Sequence, residues 1–175
     1  WLGFFVGCLF VALIPPFQVP DEPHHLLRTY QISTGQFAAI KQDDLSGGYV
    51  PASLQHAAVV ALGNIPFNPD VKLTPEQLQH ALAIPLAPHD QPFADFRQVA
   101  LYAPVAYAPQ ALAVAVGRQF ELPPIILLYI GRTAAMIASV LLVFVAIRVT
   151  PIFKWFFFAY AFLPVAVFLR ASLSA

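Results

Sequence analysis

Four side chains able to transfer protons or bind metal stand together near the start of the chain: Asp21, Glu22, His24 and His25. Residues 1–16, which precede them, carry no charged side chain. Adjacent carboxylates and imidazoles serve as general acids and bases and as ligands of divalent metal ions. On a helix, Asp21, His24 and His25 would share one face. This pattern predicts Asp21 and Glu22 as catalytic carboxylates, with Asp21 as a general base and with His24 and His25 assisting it or joining it around a metal ion.

A simpler interpretation is that the acids begin a helix. Asp21 can cap a helix over residues 22–34, Glu22 then lies at its positive end, and Gly35 can end it. Capping explains the two acids but leaves the adjacent histidines and their place after the apolar run unexplained. Both interpretations place this cluster at the mouth of a membrane segment, where charge is costly unless it is solvated, paired or used.

The composition is that of an integral membrane protein. Of the 175 residues, 59% are hydrophobic and only 10% are charged, whereas a soluble domain has about 25% charged residues. The net charge of zero argues against a nucleic-acid partner. Cys8 is the single cysteine, so an intrachain disulfide is excluded.

Three apolar runs predict membrane spans, at residues 1–16, 125–148 and 154–170. A span needs about 20 apolar residues, so the second run is long enough and the others are short. A signal peptide is the alternative for the first run, but no small-residue cleavage site follows it. Because the chain starts inside one apolar run and stops just after another, we expect it to be incomplete at both ends.

The distribution of charge predicts the topology. Residues 21–100 contain eight acids and four bases, a net charge of −4, whereas residues beyond 100 contain one acid and five bases. By the positive-inside rule, the segment with Arg148 and Lys154 is cytoplasmic and residues 17–124 are extracytoplasmic. This assignment makes residues 105–116 an interfacial helix; if they crossed the membrane, both segments would face the same side.

Within the loop, start signals predict two helices and the remainder is expected to be turn-rich. Residues 22–34 form the first. Thr74, Pro75 and Gln77 match a cap, a first-turn proline and a capping-box partner, so they open a second helix over residues 75–83.

Further polar residues could bind a substrate. Tyr102, Tyr107 and Gln110 surround two prolines where the interfacial helix begins, and they suit either a membrane interface or a sugar or lipid-phosphate site. Arg132 lies inside the second apolar run, where it must be paired, face a wet cavity or reach the headgroups. Its planar guanidinium would also suit a phosphate.

In combination these motifs resemble a known family. Val19-Pro20-Asp21-Glu22-Pro23-His24-His25 follows a span, Tyr102 to Gln110 follows a long polar loop, Gly131-Arg132 lies in a span, and Ser172-Leu173-Ser174-Ala175 follows another. This order resembles a large family of predicted bacterial membrane proteins, a domain of unknown function. That family is in turn similar to the GT-C class of polytopic glycosyltransferases. The resemblance covers nearly the whole chain and implies that it is the N-terminal part of a longer protein.

The resemblance implies an all-α, polytopic helical bundle in the bacterial inner membrane, with jutting helices at residues 22–34 and 105–116 of an extracytoplasmic loop. It implies a polyprenyl-phosphate-linked sugar as donor, a cell-envelope glycan or polymer as acceptor, and in some members a divalent metal ion such as Mg, Mn or Ca. Asp21 would be the catalytic carboxylate, and Arg28 and Arg132 would neutralise the departing lipid phosphate.

Two alternatives remain from the residues alone. In a non-catalytic transporter or polymer-export component, the acids and histidines would bind a proton or cation and Arg132 an anionic lipid. In a membrane scaffold, the cluster would be a capped loop helix. An enzyme should lose activity on Asp21→Asn with its fold intact, whereas a scaffold should tolerate both Asp21→Asn and Glu22→Gln.

Overall fold

The computed structural model describes residues 1–65, 68 and 70–174. The chain is mostly helical, with a small sheet inserted among the helices. The elements in order are α1 (Leu2–Leu13), α2 (Glu22–Ser33), β1 (Ile40–Gln42), β2 (Leu45–Tyr49), α3 (Ala52–Leu62), α4 (Pro75–Ala83), β3 (Phe93–Asp95), a 3₁₀ turn (Pro104–Tyr107), α5 (Ala108–Gln119), α6 (Pro124–Val149), α7 (Lys154–Ala161) and α8 (Pro164–Arg170).

The sheet corrects the expectation of an all-α fold. Three antiparallel strands pair in the order β1-β2-β3. Strands β1 and β2 form a hairpin in which Gln42 pairs with Leu45, and the register of β2 and β3 sets Gly47 opposite Asp95. The strands are three to five residues long, and β3 follows its partner only after two intervening helices. Strands this short do not contain enough alternation of apolar and polar residues for the sequence to distinguish them from turn-rich loop.

The loop helices begin near the residues that carry their start signals. Helix α4 starts at Pro75 with both hydrogen bonds of a capping box, between Thr74 and Gln77. Helix α2 starts at Glu22 with Asp21 at its N-cap position, but the Asp21 side chain makes no capping hydrogen bond in this described segment. The capping interpretation of Asp21 therefore does not account for its carboxylate.

Helix α6 is the one helix in the described ranges that is long and apolar enough to cross a membrane, with 26 residues and a mean hydropathy of 2.2 in its most apolar window. Its two ends differ. Ile125, Leu127 and Leu128 are fully buried, whereas Leu142 and Val149 are largely exposed. The first turns of α6 thus belong to a protein core, and the later turns present an apolar surface to the surroundings.

The core around the start of α6 is built mainly from the loop. It includes Leu26 of α2, Leu54 of α3 and Phe96 after β3, together with Leu127. Helix α5 returns along α6 at close range, because Gly117 leaves space for Leu127 and Ile130. The loop is therefore a packed unit that holds α2 in place, and this packing fixes the orientation of the acidic and histidine side chains.

The other helices pack around the apolar part of α6. Helix α1 approaches it at Gly7, where an added Cβ would lie 2.7 Å from Met136. The run predicted as one span at residues 154–170 is two short helices, α7 and α8, which meet at Leu163 and Pro164. Proline cannot donate the backbone hydrogen bond that would continue α7, so the helix ends before it.

Candidate functional site

The Glu22 carboxylate forms a buried ion pair with Arg132. Both side chains have no exposed surface. Arg132 donates from Nε to Glu22 Oε1 at 2.7 Å and from its second guanidinium nitrogen to Oε2. It also donates to the carbonyl oxygens of Ile14 and Pro15. These bonds use most of the donors that a guanidinium has.

Backbone amides complete the environment of the same carboxylate. The amides of Phe17 and Leu173 donate to Glu22 at 2.9 and 3.2 Å. One carboxylate therefore joins the end of α1, the start of α2, the middle of α6 and the segment after α8. Glu22 and Arg132, both predicted to act on a substrate, lie together, and their polar groups are largely engaged with each other and with the backbone.

The neighbouring acid has the opposite environment. The Asp21 side chain is 60% exposed, and its Oδ1 lies 4.0 Å from Nδ1 of His24. Asp21 has a left-handed backbone, with φ of 58°, a conformation in which Asp is enriched among non-glycine residues. Glu22 is buried against Arg132 and Asp21 is largely exposed, so the two adjacent acids occupy separate environments.

Asp21 and His24 line a cavity of about 520 Å³ between the turn after α1 and the end of α3. Gln18 lines it too, and its side-chain nitrogen is buried without a hydrogen-bond partner in the described part of the chain. Gln18 was not among the predicted site residues. Its place as the first polar side chain after the apolar run was the one signal that could have indicated it.

A larger, mostly apolar groove of about 840 Å³ adjoins this cavity, and both are lined by Gln18 and Ile65. Its walls include Phe10 and Leu13 of α1 and Phe168 of α8. Lys72 also lines the groove and is its basic side chain among the described residues. The apolar groove therefore adjoins a cavity that is lined by the carboxylate of Asp21 and the imidazole of His24.

His25 lies on the other side of α2. It is 5% exposed, and its Nδ1 lies 2.8 Å from the hydroxyl of Tyr107. Burial lowers the pKa of His25, against a smaller opposing effect of the Asp21 charge, so the imidazole is neutral at pH 7. Burial also raises the pKa of the Tyr107 hydroxyl, which keeps it protonated and able to donate to the imidazole.

The expected metal-ligand set is not assembled in this arrangement. Asp21 and His24 line one cavity, whereas His25 contacts Tyr107 and lines another. Across the described residues, no three His, Cys, Asp or Glu side chains are grouped as a metal site would require. Two neighbouring ligands do not make the three- or four-ligand set of a typical protein metal centre.

The second cavity, of about 490 Å³, brings together other predicted substrate-binding residues. His25, Tyr102 and Gln110 line it with Ser139 of α6 and Arg170 of α8. Tyr107 stands behind His25 and is fully buried.

Arg28 is buried inside the loop. Its guanidinium donates to the Gln31 side chain and to the carbonyl of Phe37 at 2.8 Å, with a longer contact to the carbonyl of Tyr102. Burial lowers the pKa of Arg28. Arg28 therefore connects α2 to two loop segments and is not itself one of the residues that line the two cavities.

The chain matches one protein family over residues 4–175, described as predicted membrane protein (DUF2142). It belongs to that family. No curated protein and no solved structure matches the chain. The membrane character expected from composition is thus confirmed at the level of the DUF2142 family and of one apolar helix, and the resemblance to this predicted-membrane-protein family is confirmed as well.

Proposed function

We propose that this DUF2142 chain is the N-terminal part of a membrane glycosyltransferase that moves a sugar from a polyprenyl-phosphate donor to a cell-envelope acceptor. The observation that carries the proposal is the divergence of two adjacent acids. Glu22 is buried and paired, whereas Asp21 is exposed in a cavity beside His24 and next to an apolar groove.

In the proposed reaction Asp21 is the general base. It takes the proton of the acceptor hydroxyl while that oxygen forms a bond to the anomeric carbon of the sugar. The bond between the anomeric carbon and the phosphate oxygen breaks, and the lipid phosphate leaves with its electron pair. A base must lie within hydrogen-bond reach of the proton it removes, and the open cavity around Asp21 leaves room for a hydroxyl there.

The adjoining groove supports a lipid-linked donor. Its walls are mostly apolar, as a polyprenyl chain requires, and Lys72 supplies a positive charge for the phosphate. The sequence assigned this electrostatic task to Arg28 and Arg132. Both guanidinium groups are engaged inside the protein, so Lys72 is the better candidate. Stabilising the charge of the leaving phosphate is a main part of such a reaction.

The test is complementation in the native host. The full-length gene is deleted and restored as wild type, as Asp21→Asn or as the control Asp43→Asn, and envelope glycans are profiled by mass spectrometry. Asp43 is also exposed and also has a positive φ, 53°, so it controls for the backbone effect of the change. Asp21→Asn should lower the product about 100-fold or more, the usual contribution of a general base.

The glycan must first be lost on deletion and restored by the wild-type gene. Equal amounts of each variant in the membrane, measured by immunoblot, are required for the comparison. If Asp21→Asn restores the glycan as fully as Asp43→Asn does, Asp21 is not the base and the enzyme proposal fails.

A scaffold is the second candidate, because the buried Glu22–Arg132 pair gives the cluster a structural task. The sequence alone predicts that a scaffold tolerates both Asp21→Asn and Glu22→Gln, but the buried pair changes that expectation for Glu22. In a scaffold, Glu22→Gln should now abolish complementation, whereas Asp21→Asn should preserve it. The enzyme proposal predicts that neither variant complements the deletion. Asp21→Asn should nevertheless be present at the wild-type amount, whereas Glu22→Gln should not.

A further inference from the structure

The cavity between α5, α6 and α8 is separate from the cavity of Asp21, since no described residue lines both. Its volume of about 490 Å³ lies in the range of small-molecule sites, about 300 to 1,000 Å³. The side of α6 that contributes to it lies beyond Arg132 and includes Leu142, which is 71% exposed. The cavity therefore opens beside the apolar surface of the protein.

The polar lining of this cavity has a definite charge. Arg170 is its one formally charged side chain among the described residues, and no acid lines it there. His25 is neutral because it is buried. Within the described ranges, Arg170 forms no ion pair and its guanidinium has no hydrogen-bond acceptor. A partly buried arginine without an acid beside it favours an anion.

A second, independent observation comes from Gln110. This side chain is 3% exposed and lines the cavity, and its amide oxygen has no hydrogen-bond partner in the described part of the chain. A buried polar atom without a partner is unfavourable, and an amide oxygen is completed by a donor such as a hydroxyl. Tyr102 and Ser139 add hydroxyl groups to the same lining.

The apolar part of the lining indicates that the ligand also has an apolar part. Leu142 of α6 and Leu169 of α8 line the cavity next to the polar side chains. A ligand that satisfies Arg170, Gln110 and these walls together carries an anionic phosphate, free hydroxyls and an apolar tail. We propose that this cavity binds the headgroup of an anionic phospholipid with free hydroxyls, of the phosphatidylglycerol type, with its phosphate at Arg170 and a hydroxyl at Gln110.

The site does not depend on the proposed glycosyl transfer, because it lies apart from Asp21. Asp21→Asn should leave lipid binding unchanged, and loss of lipid binding would not by itself contradict the role of Asp21. The two proposals can therefore fail separately.

The experiment measures lipid affinity by native mass spectrometry of the full-length protein in detergent. The probes are phosphatidylglycerol, zwitterionic phosphatidylcholine and phosphatidylmethanol, which keeps the phosphodiester charge but has no hydroxyl. Wild type should prefer phosphatidylglycerol over phosphatidylcholine by about tenfold or more, because the choline ammonium of phosphatidylcholine places a second positive charge near Arg170. It should also prefer phosphatidylglycerol over phosphatidylmethanol.

Four variants assign these preferences to residues. Arg170→Gln should lose the tenfold preference and Arg170→Lys should keep most of it. Gln110→Leu should remove the preference for phosphatidylglycerol over phosphatidylmethanol while the preference over phosphatidylcholine remains. Arg148→Gln is the matched control, because Arg148 is exposed at the far end of α6 and does not line the cavity. Thermal unfolding of each variant verifies that it is folded.

Three results would overturn the assignment. Wild type could bind all three lipids equally, or Arg170→Gln and Arg148→Gln could weaken binding to the same extent, which is a general charge effect. Soluble glycerol phosphate could displace phosphatidylglycerol at equal concentration, in which case the site takes a free phosphorylated polyol and not a lipid.

Discussion

The ion pair of Glu22 and Arg132 is a case in which two buried charges depend on each other. Taking a carboxylate and a guanidinium out of water is costly, and their attraction offsets that cost only when further hydrogen bonds satisfy both groups. Here two backbone amides complete the carboxylate and two backbone carbonyls accept from the guanidinium. The pair therefore stabilises the junction only while both partners are present.

Removal of either charge should be strongly destabilising. Glu22→Gln leaves the buried Arg132 without a counter-charge, and such a change costs about 3–5 kcal/mol. Thermal unfolding of the purified protein in detergent measures the effect, with Glu121→Gln at an exposed acid as the control. In a double-mutant cycle, Glu22→Gln combined with Arg132→Met should cost less than the sum of the single changes. If Glu22→Gln unfolds at the same temperature as Glu121→Gln, the pair does not have this role.

At the scale of elements, the three-stranded sheet supports the helix that carries the acids. The side chain of Gln31 on α2 donates to the carbonyl of Ala38 at 3.0 Å and reaches the carbonyl of Gly47 on β2 at 3.5 Å. Gly48 leaves the space that the Gln31 side chain occupies. The position of α2, and with it the position of Asp21, thus depends on contacts with the three-stranded sheet.

Gly47→Ala should damage this support. A Cβ at Gly47 would lie 1.8 Å from the carbonyl oxygen of Ala94, a backbone atom of the paired strand, so β2 and β3 would have to separate. Overpacking of this kind costs about 1–3 kcal/mol, which should lower the unfolding temperature by several degrees. Gly3→Ala is the control, because its nearest neighbouring atom is 3.6 Å away. Equal melting of the two variants would contradict the importance of the sheet.

Signals local to a helix boundary were readable from sequence, and contacts between distant segments were not. The Thr74 cap and the proline after it indicated the start of α4. Pro164 is a local signal of the same kind, but the prediction of one span over residues 154–170 did not use it, and the structure has two helices there. The sequence indicated that Arg132 needs a partner but not which residue supplies it, because Glu22 lies 110 residues earlier. Physically, spacing reports on a single helix or turn, whereas tertiary partners are chosen by how the whole loop packs.

The candidate site shows the same difference between local signals, which the sequence reveals, and distant contacts, which it does not. The sequence brought Asp21, Glu22, His24 and His25 together because they are adjacent, but a helix turns by about 100° per residue. The structure places these four side chains in three environments: the Asp21 cavity, the Arg132 pair and the contact with Tyr107. The surroundings of each side chain depend on where α2 packs, and the sequence around α2 does not contain that information.

At the scale of the whole molecule, the acidic loop forms a packed unit with the start of α6. Many of the exposed large apolar side chains lie on α1, α7 and the later turns of α6, and others lie in the loop and on α5, among them Val105 and Leu112. Arg132 lies in α6 between its buried first turns and its exposed later turns. If α6 crosses a membrane, the loop and the connection between α6 and α7 lie on opposite sides of it.

Cysteine labelling tests that topology. In a Cys8→Ala background, His80→Cys in the loop should react with an impermeant maleimide in intact spheroplasts. Ile152→Cys, which is 63% exposed between α6 and α7, should react only after the membrane is permeabilised. The positive-inside rule gives this direction. Labelling of both positions in intact cells, or of Ile152→Cys alone, would contradict it.

The contacts of Glu22 also set an order of events during biosynthesis. Its carboxylate emerges from the ribosome 110 residues before Arg132 and 151 residues before the amide of Leu173. At about 5–20 residues per second, the wait for Arg132 alone is on the order of 5 to 20 seconds. Throughout that interval the acid lacks the counter-charge that it has in the folded chain, so we expect α2 to dock only after Arg132 has been made. We therefore expect this junction to close late in synthesis, after most of the loop is already available to fold.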